Sequence, residues 1–308
     1  MKTYLAIDIG GTYLKFALID AFGKMQDVQR EKTPQTLFGL KRLLVSIIAA
    51  QGGDIAGVGI CCPGKIDHTQ GIIFNGGALP FLHEFAICDF IETTFNLPCS
   101  VCNDGKAAAL AELWLGNLKG KKNAAAIVLG TGVGGGIILD GAILQGEHFQ
   151  AGELSFLPRT PESGETKNLM GVTTSAVQFI QRAAKELGLL DLDDGKAVFE
   201  ALEMGDPRIK ELFKNYCREV VHIILTLQAV LDIEKVVIGG GVSQQPQLIR
   251  EIKVLYQNVK KQSSLVEETI TSVVIEKCKF GNEANLLGAL YLLQLKINEK
   301  QKDVFNND

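Results

Sequence analysis

One glycine-rich stretch limits what this chain can fold into more than any other feature. Residues 130–136 have the sequence GTGVGGG and lie between two apolar runs, at 124–129 and 137–139. Both runs are typical of β-strands, and the Asp-Gly pair at 140–141 ends the second with a turn signal. Glycine lets the backbone approach a bound group, and successive N–H groups in such a turn bind anions. The stretch therefore predicts a β-hairpin whose turn binds phosphate.

Two other phosphate-binding motifs match the chain less well. Gly130, Gly132 and Gly135 have the spacing of the dinucleotide fingerprint, which requires a helix after the glycines, but the residues that follow are typical of a strand. Residues 59–66 approach a P-loop, yet Ile66 stands where a Ser or Thr must hold magnesium. We therefore treat both matches as coincidences of spacing.

A second glycine turn lies near the beginning of the chain. Residues 3–9 predict a strand with Asp8 near its end, residues 10–12 (GGT) predict a tight turn, and 13–20 predict a second strand. A carboxylate beside a phosphate-binding turn is expected if magnesium lies between them. An ordinary hairpin that carries an Asp at a strand end explains the same residues equally well.

A third glycine turn, at 239–241, follows the apolar strand predicted over 235–239. The turns at 10–12, 130–136 and 239–241 each follow an apolar strand, and the first two also precede one. Together they suit a nucleotide held between two similar half-folds. Sequence repetition between the halves is faint, so the duplication is an inference.

Asp104 is the candidate for chemistry. A strand around 98–102 leads into Asn103-Asp104, and the helical sequence KAAALAELWLG follows and stops at Gly116. Ligands in open α/β sheets bind outside the carboxyl ends of strands, which favours a functional Asp104. The alternative is that Asp104 only caps the helix.

Length, charge and cysteine usage exclude several classes of protein. The 308 residues predict about two domains, and the net charge of −4, without a basic patch, does not suggest nucleic-acid binding. No run of 18 apolar residues predicts a membrane span, and the acid at Asp8 argues against a signal peptide. Seven cysteines, several within apolar runs, predict reduced buried thiols and a cytoplasmic protein. Cys99 and Cys102 are candidates for half a metal site, although thiols in a buried strand are the simpler interpretation.

In chain order these segments resemble the motifs of the repressor/open-reading-frame/kinase (ROK) family of sugar kinases, within the actin/hexokinase/heat-shock-protein-70 ATPase superfamily. Residues 8–15 look like its first phosphate motif, Asn103-Asp104 like its sugar and catalytic motif, and 129–136 like its second phosphate motif. Further matches are Ala151-Gly152-Glu153 with the sugar-binding signature, 238–241 with the adenosine motif, and Gly288-Ala289 with the second connecting segment. The resemblance covers nearly the whole chain.

The resemblance implies a two-domain α/β fold of the actin-like ATPase (ribonuclease H-like) type, with the active site in the interdomain cleft. The expected domains are a small N-terminal domain, residues 1–117 plus about 287–308, and a large C-terminal domain, residues 118–286. ATP and Mg²⁺ are the implied cofactors and a sugar is the implied substrate. Members often form dimers, so we expect a homodimer that binds neither nucleic acid nor membrane.

The resemblance also implies roles for single residues. Asp104 would be the general base, with Asn103 and Glu153 holding sugar hydroxyls, and Gly64 and Gly77 lying where the chain approaches the sugar. Asp8 would help to hold magnesium. The remaining implied contacts are to the nucleotide: Gly10, Gly11, Thr12, Thr131 and Gly132 around the phosphates, and Gly240 near the adenosine.

One departure from the family pattern bears on the substrate. Many members continue the Ala-Gly-Glu signature with Gly-His and a cysteine-rich zinc loop, whereas this chain has Ser155-Phe156 and no cysteine from 103 to 216. We therefore expect no zinc site and no sugar contact from that His. Phe156 would stack on a pyranose ring or leave room for a larger substrate. Zinc-free members with an aromatic residue there include β-glucoside kinases, whose segment resembles residues 74–79.

The expected function is therefore ATP-dependent 6-phosphorylation of a β-glucoside or a disaccharide such as cellobiose. Glucose and N-acetylmannosamine are the alternative substrates. A non-catalytic sugar sensor is the alternative of another class, but the chain begins at the first strand, so we expect no DNA-binding module before it. An actin- or chaperone-like ATPase is a third class, which the sugar signature disfavours.

Overall fold

The structure, a computed structural model, describes residues 2–52, 55–159 and 165–306, with the side chains of 303–306 left out. The chain divides into two compact units. The first holds the described parts of Met1–Gly116, Gln145–Ala151 and Glu283–Asp308, and the second holds those of Asn117–Leu144 and Gly152–Asn282. The segment Gln145–Ala151 therefore groups with residues far from it in sequence.

Strands and helices alternate along most of the chain. The elements up to Trp114 are β1 (Thr3–Ile9), β2 (Tyr13–Asp20), β3 (Gln29–Lys32), α1 (Leu37–Ala50), β4 (Ile55–Cys62), β5 (Lys65–Asp67), β6 (Ile72–Asn75), β7 (Phe85–Ala86), α2 (Ile87–Phe95), β8 (Cys99–Asn103) and α3 (Asp104–Trp114). Those that follow are β9 (Ala124–Leu129), β10 (Val133–Leu139), β11 (Ala142–Ile143), α4 (Met170–Thr173), α5 (Ala176–Leu187), α6 (Gly195–Glu203), α7 (Pro207–Leu231), β12 (Lys235–Gly239), α8 (Pro246–Lys261), α9 (Ser264–Thr269), β13 (Val274–Lys277) and α10 (Ala284–Asn306).

Each unit contains a five-stranded mixed sheet with the same topology. The first sheet has the order β3-β2-β1-β4-β8 and the second has the order β11-β10-β9-β12-β13. In both sheets, the three strands that come first in the chain pair antiparallel to one another. The two later strands pair parallel, the fourth with the first and the fifth with the fourth. The first unit also carries a small sheet, β5-β6-β7. The predicted α/β class with two similar half-folds is confirmed.

The central parallel strands are apolar because both of their faces are covered. Every residue of β8 and nearly every residue of β4 is buried. In the second unit the long helix α7 contributes Val220, Val221, Ile223 and Ile224 to one core with β9 and β12. Among the described residues no helix is long and apolar enough to cross a membrane.

The predicted elements agree with the structure at most positions. The strands predicted over 3–9, 13–20, 124–129 and 235–239 have the bounds of β1, β2, β9 and β12. Helix α9 was not predicted, because its 6 residues are too few for a periodic signal. The predicted domains, 1–117 with about 287–308 and 118–286, stay a prediction, since a compact unit is a geometric grouping and a domain is a unit of folding or movement.

Helix α10 packs against α3 and β4 with backbone close to backbone. A Cβ atom built on Gly288 would lie 1.8 Å from the carbonyl oxygen of Ala107, and one built on Gly59 would lie 2.5 Å from that of Ala289. Neither position has room for a side chain, because the obstructing atoms belong to the main chain. The Gly288-Ala289 pair therefore fixes how closely α10 approaches α3.

We predict that Gly288→Ala lowers the free energy of unfolding by about 1–3 kcal/mol, the usual cost of overpacking a core. Gly281→Ala is the matched control, because the nearest atom to its new Cβ is 3.9 Å away. Urea unfolding of the two variants and the wild type measures the difference. Equal stabilities of the two variants would contradict the packing described for α10.

Candidate functional site

In the first unit, polar side chains collect at the carboxyl ends of three neighbouring parallel strands. Strand β4 lies between β1 and β8, with Asp8 paired to Cys61 and Cys62 paired to Asn103 in the sheet register. The ends of parallel strands meet at one edge of a sheet, and ligands of open α/β sheets bind there. Asp8 and Asn103 thus lie two strands apart at this edge.

Asp8 is a carboxylate held out of water, with only 8% of its surface exposed. Its Oδ1 accepts a hydrogen bond from the thiol of Cys61 at 3.4 Å. Burial raises the pKa of Asp8, and the thiol and the charge of Lys15 oppose that rise. A desolvated carboxylate with weak partners favours a nearby cation, and Mg²⁺ is usually held by one or two carboxylates together with phosphates. Asp8 therefore fits the expected magnesium ligand.

Asp104 is the first residue of α3, and Asn103 is the residue that caps this helix. The Asn103 Oδ1 accepts hydrogen bonds from the N–H groups of Gly105 at 2.8 Å and Lys106 at 3.2 Å. The alternative in which Asp104 only caps the helix is therefore wrong. Burial raises the pKa of Asp104, the Gly105 N–H opposes the rise, and the charge of Asp8 adds to it. A half-buried carboxyl of raised pKa that directly follows a strand has the properties of a general base.

The predicted glycines of the first unit lie beside these carboxyls. The Asn103 Nδ2 donates to the carbonyl oxygen of Gly64 at 3.1 Å. Gly64 has a φ of +103°, and a Cβ there would lie 1.8 Å from the Asn75 carbonyl oxygen and 2.8 Å from the Gly77 nitrogen, so no other residue fits. A Cβ on Gly11 would lie 3.9 Å from Ala78. The structure therefore brings the turn 10–12, Gly64, Gly77, Asn103 and Asp104 into one neighbourhood.

In the second unit, the hairpin between β9 and β10 is the predicted phosphate turn. The Gly130 N–H donates to the carbonyl oxygen of Gly132 at 3.0 Å, and Thr131 is exposed at the tip. A strand follows the turn, which excludes the dinucleotide fingerprint. The P-loop match at 59–66 is excluded too, because it runs from β4 directly into β5 without a helix.

A cavity of about 590 Å³ lies beside this hairpin, within the second unit. Its volume suits a small ligand or cofactor, for which apolar walls with a few polar groups are typical. The walls are mainly apolar, with polar groups among them: Val177, Ile180, Phe199, Val242, Asp193 and Gln245. Cβ atoms built on Gly130 and Gly241, which also line it, would meet no protein atom within 4 Å. The backbone at Gly130 and Gly241 is therefore open to a ligand in this cavity.

Gly240 brings the third glycine turn against the hairpin. Its φ is +90°, and a Cβ atom there would lie 2.0 Å from the carbonyl oxygen of Leu129. Only glycine fits such a position without moving the end of β9. The predicted residues Gly240, Thr131 and Gly132 therefore lie around one end of the second sheet.

The predicted sugar signature forms a turn on β10. Glu153 precedes one turn of 3₁₀ helix (Leu154–Phe156), and the Ser155 hydroxyl accepts from the Val133 N–H at 2.9 Å and donates to its carbonyl oxygen at 3.1 Å. Ser155 therefore fixes the turn at 153–156 to the first residue of β10. Phe156 is 64% exposed, so its ring is available to a ligand.

Three contacts were not predicted from the sequence: that of Cys61 with Asp8, that of Ser155 with Val133, and those of Lys106, which is buried in the first turn of α3. Lys106 had a signal, since a lysine in an alanine-rich buried helix is unusual. Cys61 and Ser155 had none, because their partners depend on strand register. The proposal of half a metal site at Cys99 and Cys102 is wrong, because residues 3 apart in β8 point to opposite faces of the sheet.

Comparisons with known proteins agree with this arrangement. The ROK family profile matches residues 4–296. The chain is 27% identical to a β-glucoside kinase of Listeria innocua, covering 93% of this chain and 95% of that protein. It is 28% identical to a glucokinase of Halalkalibacterium halodurans, covering 98% of both, and 30% identical to an N-acetylmannosamine kinase of Escherichia fergusonii, covering 95% of this chain and 98% of that protein.

A solved structure shows the same fold. A ROK family protein from Streptococcus pneumoniae TIGR4, in complex with sucrose, superposes with a TM-score of 0.85 at 27% identity and covers 97% of this chain and 99% of its own. The predicted actin-like fold class is thereby confirmed. The chain belongs to the ROK family, and carbohydrate kinases are among its full-length relatives there.

Proposed function

We propose that this protein transfers the γ-phosphate of ATP to the 6-hydroxyl of a β-glucoside or a β-linked disaccharide such as cellobiose. The observation that carries the proposal is the exposed ring of Phe156, three residues after Glu153, at the position where many family members have a sugar-binding His. An aromatic ring offers an apolar face to a pyranose and no hydrogen bond. It therefore favours a second ring or an aglycone over one additional polar contact.

Two comparisons support this choice of substrate without deciding it. A β-glucoside kinase is among the full-length relatives, and the Streptococcus pneumoniae protein was solved in complex with a disaccharide, sucrose. Glucokinase and N-acetylmannosamine kinase relatives have similar identities. Glucose and N-acetylmannosamine therefore remain the alternative substrates.

On the sugar side, we assign Asp104 as the general base that accepts the 6-hydroxyl proton during attack. Its half-buried position and raised pKa suit a group that must exist ionised and still take up a proton. Asn103 orients α3 through its cap and would contact the sugar together with Glu153. Gly64 and Gly77, which have no side chains, would allow the sugar to lie against the backbone.

On the nucleotide side, the turns at 10–12 and 131–132 would hold the phosphates through backbone N–H groups. Gly240 and the 590 Å³ cavity would receive the adenosine. Magnesium bound at Asp8 would neutralise charge on the phosphates. Phosphoryl transfer needs mainly such positioning and charge stabilisation.

We also propose a homodimer in the cytoplasm. All seven cysteines lie in the described part of the chain, where they are buried and form no disulfide bond, as expected of a protein in a reducing compartment. We expect the dimer because members of the family often form dimers. The molar mass measured by light scattering during size-exclusion chromatography tests it directly.

We predict that Asp104→Asn lowers kcat about 10²–10⁴-fold, the usual value of general-base catalysis. The fold should persist, since an Asn oxygen can still accept from Gly105. Because burial raises the folded-state pKa of Asp104, its ionisation costs stability at neutral pH, and that cost vanishes below the unfolded pKa. The melting temperature of the variant at pH about 7 should therefore equal or exceed the wild-type value. Wild-type kcat in the variant would remove Asp104 from the mechanism.

In the pH profile of kcat/KM, the midpoint of the acid limb should lie at a pH above the ordinary Asp pKa of about 3.9. The base acts only when ionised, so activity falls as the pH drops through the raised pKa of Asp104. Initial rates from pH about 4 to 8 locate the limb, and kcat/KM reports the free enzyme. A limb at or below the ordinary value would contradict the desolvation of this carboxyl.

The substrate prediction is tested by ADP release with ATP and Mg²⁺ over cellobiose, gentiobiose, arbutin, glucose and N-acetylmannosamine. We expect kcat/KM for the β-glucosides to exceed that for glucose. Phe156→Ala should reduce that ratio about 10-fold, within the range for one apolar contact. A preference for glucose or N-acetylmannosamine would keep the kinase and reject the β-glucoside. No turnover of any sugar, with sugar binding intact, would favour the sensor.

A further inference from the structure

Lys106 is a buried cation for which the proposed mechanism has no use. It lies in the first turn of α3, and only 2% of its surface is exposed. A buried ammonium group is costly unless it is hydrogen-bonded, and a cation is unfavourable at the N-terminal end of a helix. Both costs indicate that Lys106 is kept for a contact that an uncharged residue would not make.

The contact is to the segment Gln145–Ala151. The Lys106 Nζ donates to the Gln145 Oε1 at 2.8 Å, to the Gln145 carbonyl oxygen at 3.3 Å and to the Phe149 carbonyl oxygen at 2.9 Å. These partners span the whole turn of the segment. One side chain of α3 therefore holds a stretch of chain that lies about forty residues later.

The segment has a definite, strained shape. Phe149 has a φ of +59°, which is unfavourable for a residue with a side chain. The turn is closed by hydrogen bonds from the Phe149 N–H to the Gly146 carbonyl oxygen and from the Ala151 N–H to the Gln145 carbonyl oxygen, each 3.2 Å. The edge of the His68 ring contacts Phe149, with centroids 5.9 Å apart. Strain of this kind persists only where surrounding contacts impose it.

Two buried polar atoms beside the anchor lack a hydrogen-bond partner among the described residues, Nε2 of Gln145 and Nδ1 of His68. Unsatisfied buried groups lower stability and are rare in native proteins. The Gln145 amide orients its oxygen toward Lys106 although its nitrogen is then unpaired. The orientation of this amide therefore follows its charge-assisted hydrogen bond with Lys106.

The position of this segment bears on the sugar site. Its last residue precedes Glu153 by two positions, and two residues span about 7 Å at most. Lys106 itself is two residues after Asp104, on the same helical turn. Fixing the segment to α3 therefore fixes the point from which the chain continues to Glu153.

We propose that Lys106 is a positioning residue for sugar binding, which acts by holding the segment Gln145–Ala151 on helix α3 and so setting the entry of the chain into Glu153. The proposal rests on the proposed kinase function for its sugar-dependent part. The anchoring itself is independent of any activity.

Lys106→Met keeps most of the apolar length of the side chain and removes the charge together with the hydrogen bonds to Gln145 and Phe149. We expect the KM for the best sugar of the panel to rise about 10–100-fold, since small misplacements of binding groups have effects of that size. The KM for ATP should stay within about twofold, because none of the proposed nucleotide contacts involves the segment. Amide hydrogen exchange at 145–151 should become faster.

Lys260→Met is the matched control. Lys260 is also a buried lysine, 4% exposed, whose Nζ donates to the Ile270 carbonyl oxygen and to the Ser272 hydroxyl, in the second unit. It should lower the melting temperature without changing the sugar KM or the exchange of 145–151. An equal rise of the sugar KM in both variants would show a general loss of stability and overturn the positioning role.

Gln145→Ala is the milder second variant, for use if Lys106→Met fails to fold. It removes one of the three hydrogen bonds, so its effect on the sugar KM should be smaller and of the same kind. The double variant should be less than additive, because both changes break one contact.

The results separate the two proposals. Unchanged exchange at 145–151 in Lys106→Met would overturn the anchor whatever the activity. Faster exchange with an unchanged sugar KM would overturn the positioning role. Wild-type protein that phosphorylates no sugar would defeat the proposed function, while the exchange experiment would still decide the anchor.

Discussion

The desolvation of two carboxylates, Asp8 and Asp104, is the constraint on which the candidate site depends. Parallel strands β1, β4 and β8 bring both to one sheet edge, and burial raises the pKa of each. The charge of Asp8 raises the pKa of Asp104 further. Any cation that neutralises Asp8 removes that contribution and favours ionised Asp104. If magnesium binds at Asp8, as we propose, it would thereby help to keep Asp104 ionised as the proposed base.

The two sheets show how one arrangement can serve two ligands. When the strands of each sheet are numbered along the chain, their order across the sheet is 3-2-1-4-5 in both. Each sheet also has a glycine turn between the two strands that come first in the chain. A glycine of positive φ also follows the fourth strand of each, Gly64 after β4 and Gly240 after β12. The first of these glycines lies beside Asn103, and the second lies beside the 590 Å³ cavity. Repetition that is faint in the sequence is thus plain in the topology, because glycine turns and strand order are retained where side chains differ.

Local signals predicted most of the fold and the glycine turns. Positive φ and close backbone approach restrict a position to glycine whatever surrounds it, so Gly64 and Gly240 were visible in the sequence. The place of Gln145–Ala151 was not, because an irregular segment has no periodicity and its position depends on tertiary contacts such as Lys106. The sequence offered Asp104 as the helix cap, but the cap is Asn103, so capping does not account for Asp104. That distinction needs the direction of a side chain, which no pattern of residues contains.

Sequence identity to the relatives does not indicate which sugar this chain takes. A β-glucoside kinase, a glucokinase and an N-acetylmannosamine kinase are 27%, 28% and 30% identical to it. Discrimination must come from a few contacts, and the turn at 153–156 holds two of the residues in which this chain departs from the family pattern. Ser155 fixes the turn to Val133 by two hydrogen bonds, so Phe156 is presented by a rigid support. A site that must hydrogen-bond its substrate rejects analogues strongly, because its own polar groups would be left unpaired. An apolar ring imposes no such penalty and discriminates by little more than area. Replacement of a polar residue by Phe156 should therefore broaden the range of accepted glucosides, which is the property that a kinase of varied β-glucosides requires.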